Sequence, residues 1–497
     1  MEQIFNPYLP LTEYIPDGEP HLFDGRVYIY GSHDRAGGEV YCEDHYTVWS
    51  APEDNLRDWR CEGVSYRRDQ DPSNKADTLQ LWAPDVTRGP DGRYYLYYCF
   101  SFYPEIGVAV SDGPAGPFAF YGHVHYPPEL LGGKVLSEYM VFDPAVLTDD
   151  DGRVWLYYGF CPAGEKETIQ IPPPTDEEMA AASPEERAQL DAISKIRFGE
   201  YSMVVELETD MLTVKDGPRP LIPSERHAAG TSFAGHGFFE ASSIRKFNGT
   251  YYFVYSSHKS HELCWAVSDR PDGNFTYGGV LVSNGDIGLG GRERPVCPLG
   301  NNHGGIVKAN GDYYIFYHRQ TNATEFSRQG CAEKLTMDEN GRFSQVEITS
   351  CGLNGAPLAA SGTYPASICC HLTDPTVTPI IRYRDPAAEM RIRVTQRQNR
   401  SFITGIGDGA VIGYKYFAFS GAQALSLELR GSFKGTVRVT TDEAGVQLCG
   451  EAEIMVSSRD WRNLLLPLSE LRGIMPLYLR FAGEGGLELK SFSFLDF

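Results

Sequence analysis

The sequence predicts an all-β protein in which a five-bladed β-propeller is followed by a jelly-roll-like β-sandwich. Three observations support this prediction. A turn dipeptide followed by an aromatic-rich apolar run occurs five times before residue 350, and short segments of alternating polarity follow that residue. Tyr and Phe, which favour strands, occur 30 and 26 times among 497 residues.

The five turn dipeptides predict five hairpins. Asp-Gly and Asn-Gly between hydrophobic segments are a strong hairpin signal, because tight turns need residues that accept positive φ. A hairpin that recurs once per blade-sized unit is typical of a β-propeller. Residues 1–350 are therefore predicted to form the propeller. The dipeptides are Asp24-Gly25, Asp91-Gly92, Asp151-Gly152, Asn248-Gly249 and Asn310-Gly311.

An ionisable residue precedes each of these turns by a similar number of positions. Because a propeller brings the start of each innermost strand to a central hole, we expect these side chains to converge on one site. Asp85, in the motif Trp82-Ala-Pro-Asp85, could equally well have a structural role that stabilises its hairpin. The five residues are Asp17, Asp85, Asp143, Glu240 and His303.

Three of these residues carry the carboxyl groups that glycosidic cleavage needs, where one protonates the leaving oxygen and another activates water or attacks the sugar itself. Glu240 is flanked by Phe238 and Phe239 and is expected to stay protonated as the general acid. Asp17 lies in a polar turn and suits an ionised base, while Asp143 can orient Glu240 and keep its pKa high. An inverting pair should stand about 6.5–9.5 Å apart. Each carboxylate taken singly could instead be a turn cap.

The propeller topology also predicts which loops surround this site. The long third interval contains an insertion at residues 161–200 with one predicted helix, which starts at Ser183 as its N-cap. The insertion is expected to shape substrate access. Loop residues predicted on the same face are His33, Asp34, Phe102, Tyr103, His258 and His318.

After the propeller the composition changes. Residues 351–370 are rich in Gly, Ala, Ser and Pro and are predicted to be a linker. Residues 371–497 contain short segments that alternate apolar and polar side chains, which is typical of a β-sandwich.

Composition excludes several classes of partner. A net charge of −22 argues against binding to nucleic acid or to anionic membranes, which require basic patches. The sequence shows neither a secretory signal nor a transmembrane run, so a cytoplasmic location is expected. The eleven Cys residues lack zinc-type spacing and are expected to be buried free thiols. No cofactor is expected to be required.

The propeller motifs, taken in order, resemble glycoside hydrolase family 43. They are Pro16-Asp17, Trp82-Ala-Pro-Asp85, Phe142-Asp143-Pro144, Glu240-Ala-Ser and Asn302-His303-Gly-Gly. The resemblance implies an inverting, exo-acting enzyme that releases L-arabinofuranose or D-xylose from plant-derived oligosaccharides. It implies Asp17 as the base, Glu240 as the acid and Asp143 as the residue that modulates the acid's pKa. Glu240-Ala-Ser departs from the family pattern, in which Gly-Pro often follows the acid.

The same resemblance implies three further site residues. Arg328 would contact the sugar in the terminal subsite, Trp82 would form an aromatic platform, and His303 would bind substrate or, through water, a central structural calcium. Two alternatives stay open, because Arg328 could simply neutralise neighbouring carboxylates and His303 could be a hydrogen-bonded core histidine. Calcium prefers oxygen ligands, so most of its coordination would have to be water.

The segment from about residue 405 resembles a family 6 carbohydrate-binding module, in which Trp461 would occupy a core position. Whether this domain binds sugar or braces the propeller is left open. Alternative functions are a galactan- or arabinan-directed glycosidase of the same fold, or a non-catalytic carbohydrate-binding propeller, against which the complete carboxylate set argues. A retaining fructan-cleaving propeller would need Arg-Asp-Pro inside the blades, whereas here that motif begins at Arg384. The sequence does not choose between arabinose and xylose.

Overall fold

The computed structural model describes residues 3–101, 103–127, 140–163, 180, 182–183, 187, 197–375 and 392–496. Most of the 161–200 insertion with its predicted helix, and Phe102, lie outside this part of the chain. No helix within it has the length and apolar composition needed to cross a bilayer.

Five antiparallel sheets form the blades of a propeller, as predicted, and each runs in sequence order. Blade one consists of β1 (Glu19–Phe23), β2 (Arg26–Tyr30), β3 (Tyr46–Pro52) and β4 (Arg60–Tyr66). Blade two consists of β5 (Leu81–Arg88), β6 (Tyr94–Phe100), β7 (Ile106–Ser111) and β8 (Ala119–His123). Blade three consists of β9 (Ala145–Thr148), β10 (Val154–Tyr158), β11 (Tyr201–Leu207) and β12 (Val214–Pro223).

The last two blades complete the ring. Blade four consists of β13 (Phe238–Phe247), β14 (Thr250–Ser257), β15 (Glu262–Ser268) and β16 (Thr276–Ser283). Blade five consists of β17 (Ile306–Ala309), β18 (Asp312–Gln320) and β19 (Arg328–Leu335). Short 3₁₀ turns lie at Arg68–Gln70, Pro72–Asn74, Glu225–His227, Leu289–Gly291, Gly352–Asn354 and Ala366–Ile368.

The five predicted turn dipeptides all connect the first two strands of a blade. Three of them form two-residue turns with positive φ at both positions, for example 48° at Asp24 and 75° at Gly25. The other two sit in the five-residue loops 89–93 and 149–153, where only the glycine has positive φ. The first strand of each blade thereby starts at the same end of the propeller.

The N-terminal segment closes the ring beside β19. The Tyr8 N–H donates to the Gly330 carbonyl at 3.3 Å. The Asn6 amide both accepts from the Ala332 N–H and donates to the Ala332 carbonyl, at 3.0 and 3.1 Å. The two ends of the propeller sequence are thus held together.

Tyrosine hydroxyls of the repeated aromatic runs join neighbouring blades. Tyr30 donates to the Pro114 carbonyl at 2.6 Å, and Tyr97 donates to the Met211 carbonyl at the same distance. Tyr157 donates to the Pro271 carbonyl at 2.9 Å. A buried tyrosine usually finds such a partner for its hydroxyl, so these residues serve both the core and the blade contacts.

The C-terminal domain is rich in strands and has its own hydrophobic core. The predicted 351–370 linker differs from the observed structure, because it contributes two short strands and buries Leu358, Tyr364 and Ile368 in that core. Apolar side chains among its small residues explain the difference. The strands are β20 (Leu358–Ala359), β21 (Gly362–Pro365), β22 (His371–Thr373), β23 (Arg393–Arg397), β24 (Arg400–Ile406), β25 (Val411–Ser420), β26 (Ala424–Thr440), β27 (Leu448–Pro467) and β28 (Arg472–Leu495).

Trp461 does not occupy the core position expected for it. Its ring is half-buried on the outside of the domain, where Phe402 lies 5.7 Å away and the Arg430 guanidinium 4.4 Å away. The surrounding Arg-Asp-Trp-Arg stretch of β27 is polar, which explains why this part of the strand faces solvent.

The domain packs against the propeller through buried charge. Lys415 is 1% exposed, and its Nζ lies 3.2 Å from Asp286 and 2.9 Å from Glu347. Arg292 of the propeller donates two hydrogen bonds to Glu443, at 2.6 and 2.7 Å. The C-terminal domain therefore braces blades four and five.

Candidate active site

The propeller brings Asp17, Asp143 and Glu240 to one place at the start of three inner strands. Their exposed fractions are 4%, 4% and 8%. Oδ2 of Asp143 accepts a hydrogen bond from the N–H of Ala241, next to Glu240, at 2.9 Å. The electrostatic influence of Asp17 reaches both other carboxyls and raises their pKa values. Residues far apart in sequence thus share one buried polar centre.

The backbone at all three positions is unusual. Asp17 and Asp143 have positive φ values of 56° and 47°, and Ala241 has 67°. Strand β13 also has register shifts on both sides of Glu240, which re-aim this side chain relative to a regular strand. Such strain in non-glycine residues concentrates at functional sites, where the surrounding structure holds it in place.

Asp17 is held as a carboxylate. Its Oδ1 accepts a hydrogen bond from Arg328 Nη1 at 2.9 Å, and its backbone N–H donates to Nδ1 of His318 at 3.3 Å. Burial alone would raise the pKa of Asp17, but the Arg328 guanidinium, His318, His303 and the Ser32 hydroxyl together outweigh burial, and the pKa lies below its ordinary value. This carboxyl is therefore ionised at neutral pH.

Arg328 is fixed by a second carboxylate, Asp34. Its Nε and Nη2 donate to the two oxygens of Asp34 at 2.8 and 3.0 Å, and its backbone N–H donates to the same carboxylate at 3.0 Å. The guanidinium also lies 4.8 Å from the centre of the Tyr41 ring. At 2% exposed, Arg328 makes the neutralising contacts of the alternative interpretation, and its contact with sugar stays a prediction.

Glu240 has the opposite electrostatic environment. Burial, and then the negative charges of Asp17 and Glu325, raise its pKa to about 8 against the opposing effect of Arg328. Burial and the neighbouring Glu240 and Asp17 likewise raise the pKa of Asp143 well above its ordinary value. Glu240 is therefore protonated at neutral pH while Asp17 is not.

An aromatic wall includes the residues immediately before two of these carboxyls. Phe142 and Phe239 immediately precede Asp143 and Glu240 in sequence. Their rings are joined by Phe160, whose centre lies 4.9 Å from Phe142 and 5.2 Å from Phe239. Trp82 extends the wall at 5.2 Å from Phe142. An apolar wall beside an acid favours its protonated form and offers a surface for the face of a sugar ring.

The other predicted residues divide into two groups. His303 is 5% exposed, with Nδ1 3.5 Å from Asp143 Oδ2, and His318 contacts Asp17, so both belong to the site. His33, Tyr103 and His258 contact His45, Phe100 and Glu225 instead. None of these contacts involves Asp17, Asp143 or Glu240.

Asp85 has the structural role that its motif also allowed. Its Oδ1 lies 2.5 Å from His21 Nε2, and its Oδ2 accepts from the Val146 N–H at 2.8 Å. It thereby links blades one and three across blade two.

Sequence reasoning missed several residues of the centre. Tyr41, Phe142, Phe160, Glu325 and Glu19 are not among the site residues that the sequence predicts. Phe142 could have been found from its place next to Asp143. Glu19 could have been found from its place two residues after Asp17, at the start of inner strand β1.

A five-bladed propeller with an ionised and a protonated carboxyl at its centre defines the class of protein: it is suited to acid–base cleavage of glycosidic bonds. The sequence profile described as "Glycosyl hydrolases family 43" matches residues 16–219. A "Xylosidase/arabinosidase" from Thermoclostridium stercorarium is 43% identical over 501 residues, covering 99% of each chain. The chain therefore belongs to glycosyl hydrolase family 43 and is a glycoside hydrolase.

Some relatives match about two thirds of this chain. A "Beta-xylosidase" from Xylanibacter ruminicola is 30% identical over 361 residues, which cover 68% of this chain and 99% of the relative. The crystal structure of a "GH43_1 enzyme" from Xanthomonas citri superposes with a TM-score of 0.50 at 26% identity, covering 69% of this chain and 94% of that one.

Proposed function

We propose that this protein is an inverting, exo-acting glycosidase that releases D-xylose or L-arabinofuranose from oligosaccharides. The observation that carries the proposal is the opposite displacement of two pKa values within one buried centre, downward at Asp17 and upward at Glu240. An enzyme that uses a general acid and a general base together at neutral pH needs two groups whose pKa values differ in this way. The names of the two relatives support a pentose as the released sugar.

In the proposed reaction Glu240 is the general acid and Asp17 the general base. Glu240 donates its proton to the leaving oxygen as the bond from that oxygen to the anomeric carbon breaks. Asp17 takes a proton from the water that attacks the same carbon from the opposite face, so the product has inverted configuration. Asp143 holds the backbone after Glu240 through the Ala241 N–H. Its proposed role is to orient the acid and modulate its pKa.

Variants at the two carboxyls test this assignment. Asp17→Ala and Glu240→Ala should each reduce hydrolysis of unactivated oligosaccharides by ~10³-fold or more, within the range expected for loss of a general acid or base. Glu208→Gln, at an exposed carboxylate, is the matched control and should keep full activity. Circular dichroism would establish that the variants fold. Full activity in either variant would remove that residue from the mechanism.

Product analysis tests stereochemistry and specificity. Proton NMR during the first turnovers should show the anomer inverted relative to the substrate, and retention would refute the proposed role of Asp17. A panel of aryl xylosides, arabinofuranosides and galactofuranosides, with xylo- and arabino-oligosaccharides, would identify the sugar released. Release of single residues from chain ends supports exo action, whereas mid-chain cleavage contradicts it.

We also propose that the C-terminal domain resembles a carbohydrate-binding module in function and holds sugar in a groove of about 870 Å³. Its lining combines glycines, which leave the backbone open, with polar side chains. Arg430 is oriented there by Glu488, at 2.5 Å from Nε, and by the Trp461 ring. The lining includes Gly405, Gly431, Gly486, Arg430, Arg459 and Glu488.

This second proposal is tested in the full chain with the active site disabled by Glu240→Ala. Titration with xylohexaose by calorimetry should show a binding event that Arg430→Ala weakens by ~10-fold or more, as loss of a fixed guanidinium contact would. Arg472→Ala, an exposed arginine of the same domain, is the control. Equal affinity in all three proteins would mean that the groove does not bind the sugar.

A further inference from the structure

An arginine crosses the propeller axis beneath the candidate active site. Arg245 projects from β13 of blade four toward blade one, where its Nη2 donates to Glu19 Oε2 and to the Pro20 carbonyl, both at 2.8 Å. The same nitrogen lies 3.2 Å from His21 Nε2. The side chains of Arg245 and Glu19 are 11% and 1% exposed, so this is a buried ion pair.

The groups around this arginine are of the kind that hold a cation. One ligand atom each from Glu19, His21 and Asp85 lie within 4.8 Å of one another. Two buried carboxylates so close together need a compensating positive charge. The resemblance to family 43 implies that a central calcium ion, bound through water to His303, would supply that charge.

The donor atoms present do not fit calcium, which takes six to eight oxygen ligands. Glu19 Oε2 accepts from Ser243 and Arg245, and the two oxygens of Asp85 are engaged by His21 and by backbone N–H groups. The ligand atoms left without a hydrogen bond are Glu19 Oε1 and His303 Nε2, which face each other at 3.7 Å. One oxygen and one nitrogen, next to a guanidinium, do not form a calcium cage.

We infer that Arg245 is a built-in axial cation of this enzyme, which takes the place of a divalent metal ion and makes the protein independent of calcium. Burial and Asp85 raise the pKa of Glu19 to about 8 against the opposing effect of Arg245, which also holds this side chain below His303. His303 in turn lies 3.5 Å from Asp143, so Arg245 is a positioning residue that acts on the active site through two intermediate side chains. The inference concerns the axis alone and holds whichever sugar is the substrate.

Removal of the arginine should convert this centre into a metal site. Arg245→Ala leaves the carboxylates of Glu19 and Asp85 without their cation and opens the space that the guanidinium fills. A divalent cation can then enter and restore the charge balance. Arg245→Lys keeps a positive charge and should stay independent of metal. Arg88→Ala, at the exposed end of inner strand β5, is the matched control.

The experiment measures melting temperature and kcat/KM in the full-length proteins after EDTA treatment, with and without excess CaCl₂. The wild type, Arg88→Ala and Arg245→Lys should respond to CaCl₂ by less than about twofold in kcat/KM and without a shift in melting temperature. Calorimetric titration of the wild type with CaCl₂ should show no binding. Arg245→Ala should melt at a lower temperature in EDTA and regain both melting temperature and activity when CaCl₂ is added.

Two results would overturn the inference. One is a wild type that loses melting temperature or activity in EDTA and recovers with CaCl₂, which would mean that the axis already requires the metal. The other is a folded Arg245→Ala protein whose melting temperature does not respond to CaCl₂. If Arg245→Ala does not fold, the wild-type titration decides alone. Because melting temperature and calcium binding need no substrate, these outcomes are separate from any failure of the proposed hydrolysis.

Discussion

The alkaline side of the pH–activity profile should report the ionisation of Glu240. Burial and Asp17 raise the pKa of this carboxyl from 4.5 to about 8, which corresponds to roughly 5 kcal/mol against its ionised form. A general acid must be protonated to act. Activity should therefore be complete well below pH 8 and fall about tenfold per pH unit above it. Because the pKa of Asp17 is lowered, the base loses activity only in strongly acidic solution.

The assay is kcat/KM between pH 3 and 10, which reports ionisation in the free enzyme. A 4-nitrophenyl xyloside or arabinofuranoside is compared with a 2,4-dinitrophenyl glycoside, whose leaving group needs little protonation. The alkaline fall should be steep for the first substrate and weaker for the second. In Glu240→Gln the fall should disappear, and the activated substrate should be cleaved far better than the other. An alkaline limb centred near pH 5, or one that persists in Glu240→Gln, would refute the assignment of the raised pKa to this residue.

Three other perturbations follow from single contacts. Asp34→Ala should destabilise the protein by roughly 3–5 kcal/mol in urea unfolding, because it leaves Nε and Nη2 of the buried Arg328 without their carboxylate and only Asp17 to pair with the guanidinium. A loss below about 1 kcal/mol would contradict the buried pair with Asp34. Trp82→Ala should raise KM for oligosaccharides by ~10-fold with a smaller change in kcat, since it removes a stacking surface, and an unchanged KM would exclude the platform. Lys415→Met should lower the unfolding free energy by roughly 3–5 kcal/mol, because it leaves Asp286 buried without its cation. The double variant Lys415→Met and Asp286→Leu should lose less, and equal losses would contradict the charge pairing across the domain contact.

The propeller was predictable because its signals are local. Each Asp-Gly or Asn-Gly turn fixes a hairpin by itself, and the residue a fixed distance upstream then marks the strand start. This constant spacing was enough to predict that Asp17, Asp143 and Glu240 lie close together. The position of a residue is predictable from sequence wherever one turn and one alternating strand determine it.

Contacts between distant segments left no such signal. Asp34 and Arg328 lie 294 positions apart, and nothing local to either shows that they pair. Arg245 likewise sits in an ordinary strand, and its function depends on Glu19 from another blade. The 351–370 segment was predicted as a linker because its small residues dominate its composition, whereas burial of Leu358, Tyr364 and Ile368 decides its structure.

The position of one arginine explains which carboxyl can be the base. Arg328 could stabilise a negative charge on either Asp17 or Glu240, and the one it contacts becomes the stronger acid. Two hydrogen bonds from the guanidinium to Asp34, and a third from the Arg328 backbone N–H, hold the side chain so that Nη1 reaches Asp17, 2.9 Å away. The resulting charge on Asp17 then helps to keep Glu240 protonated. Asp34 touches neither carboxyl, yet it determines the difference between them.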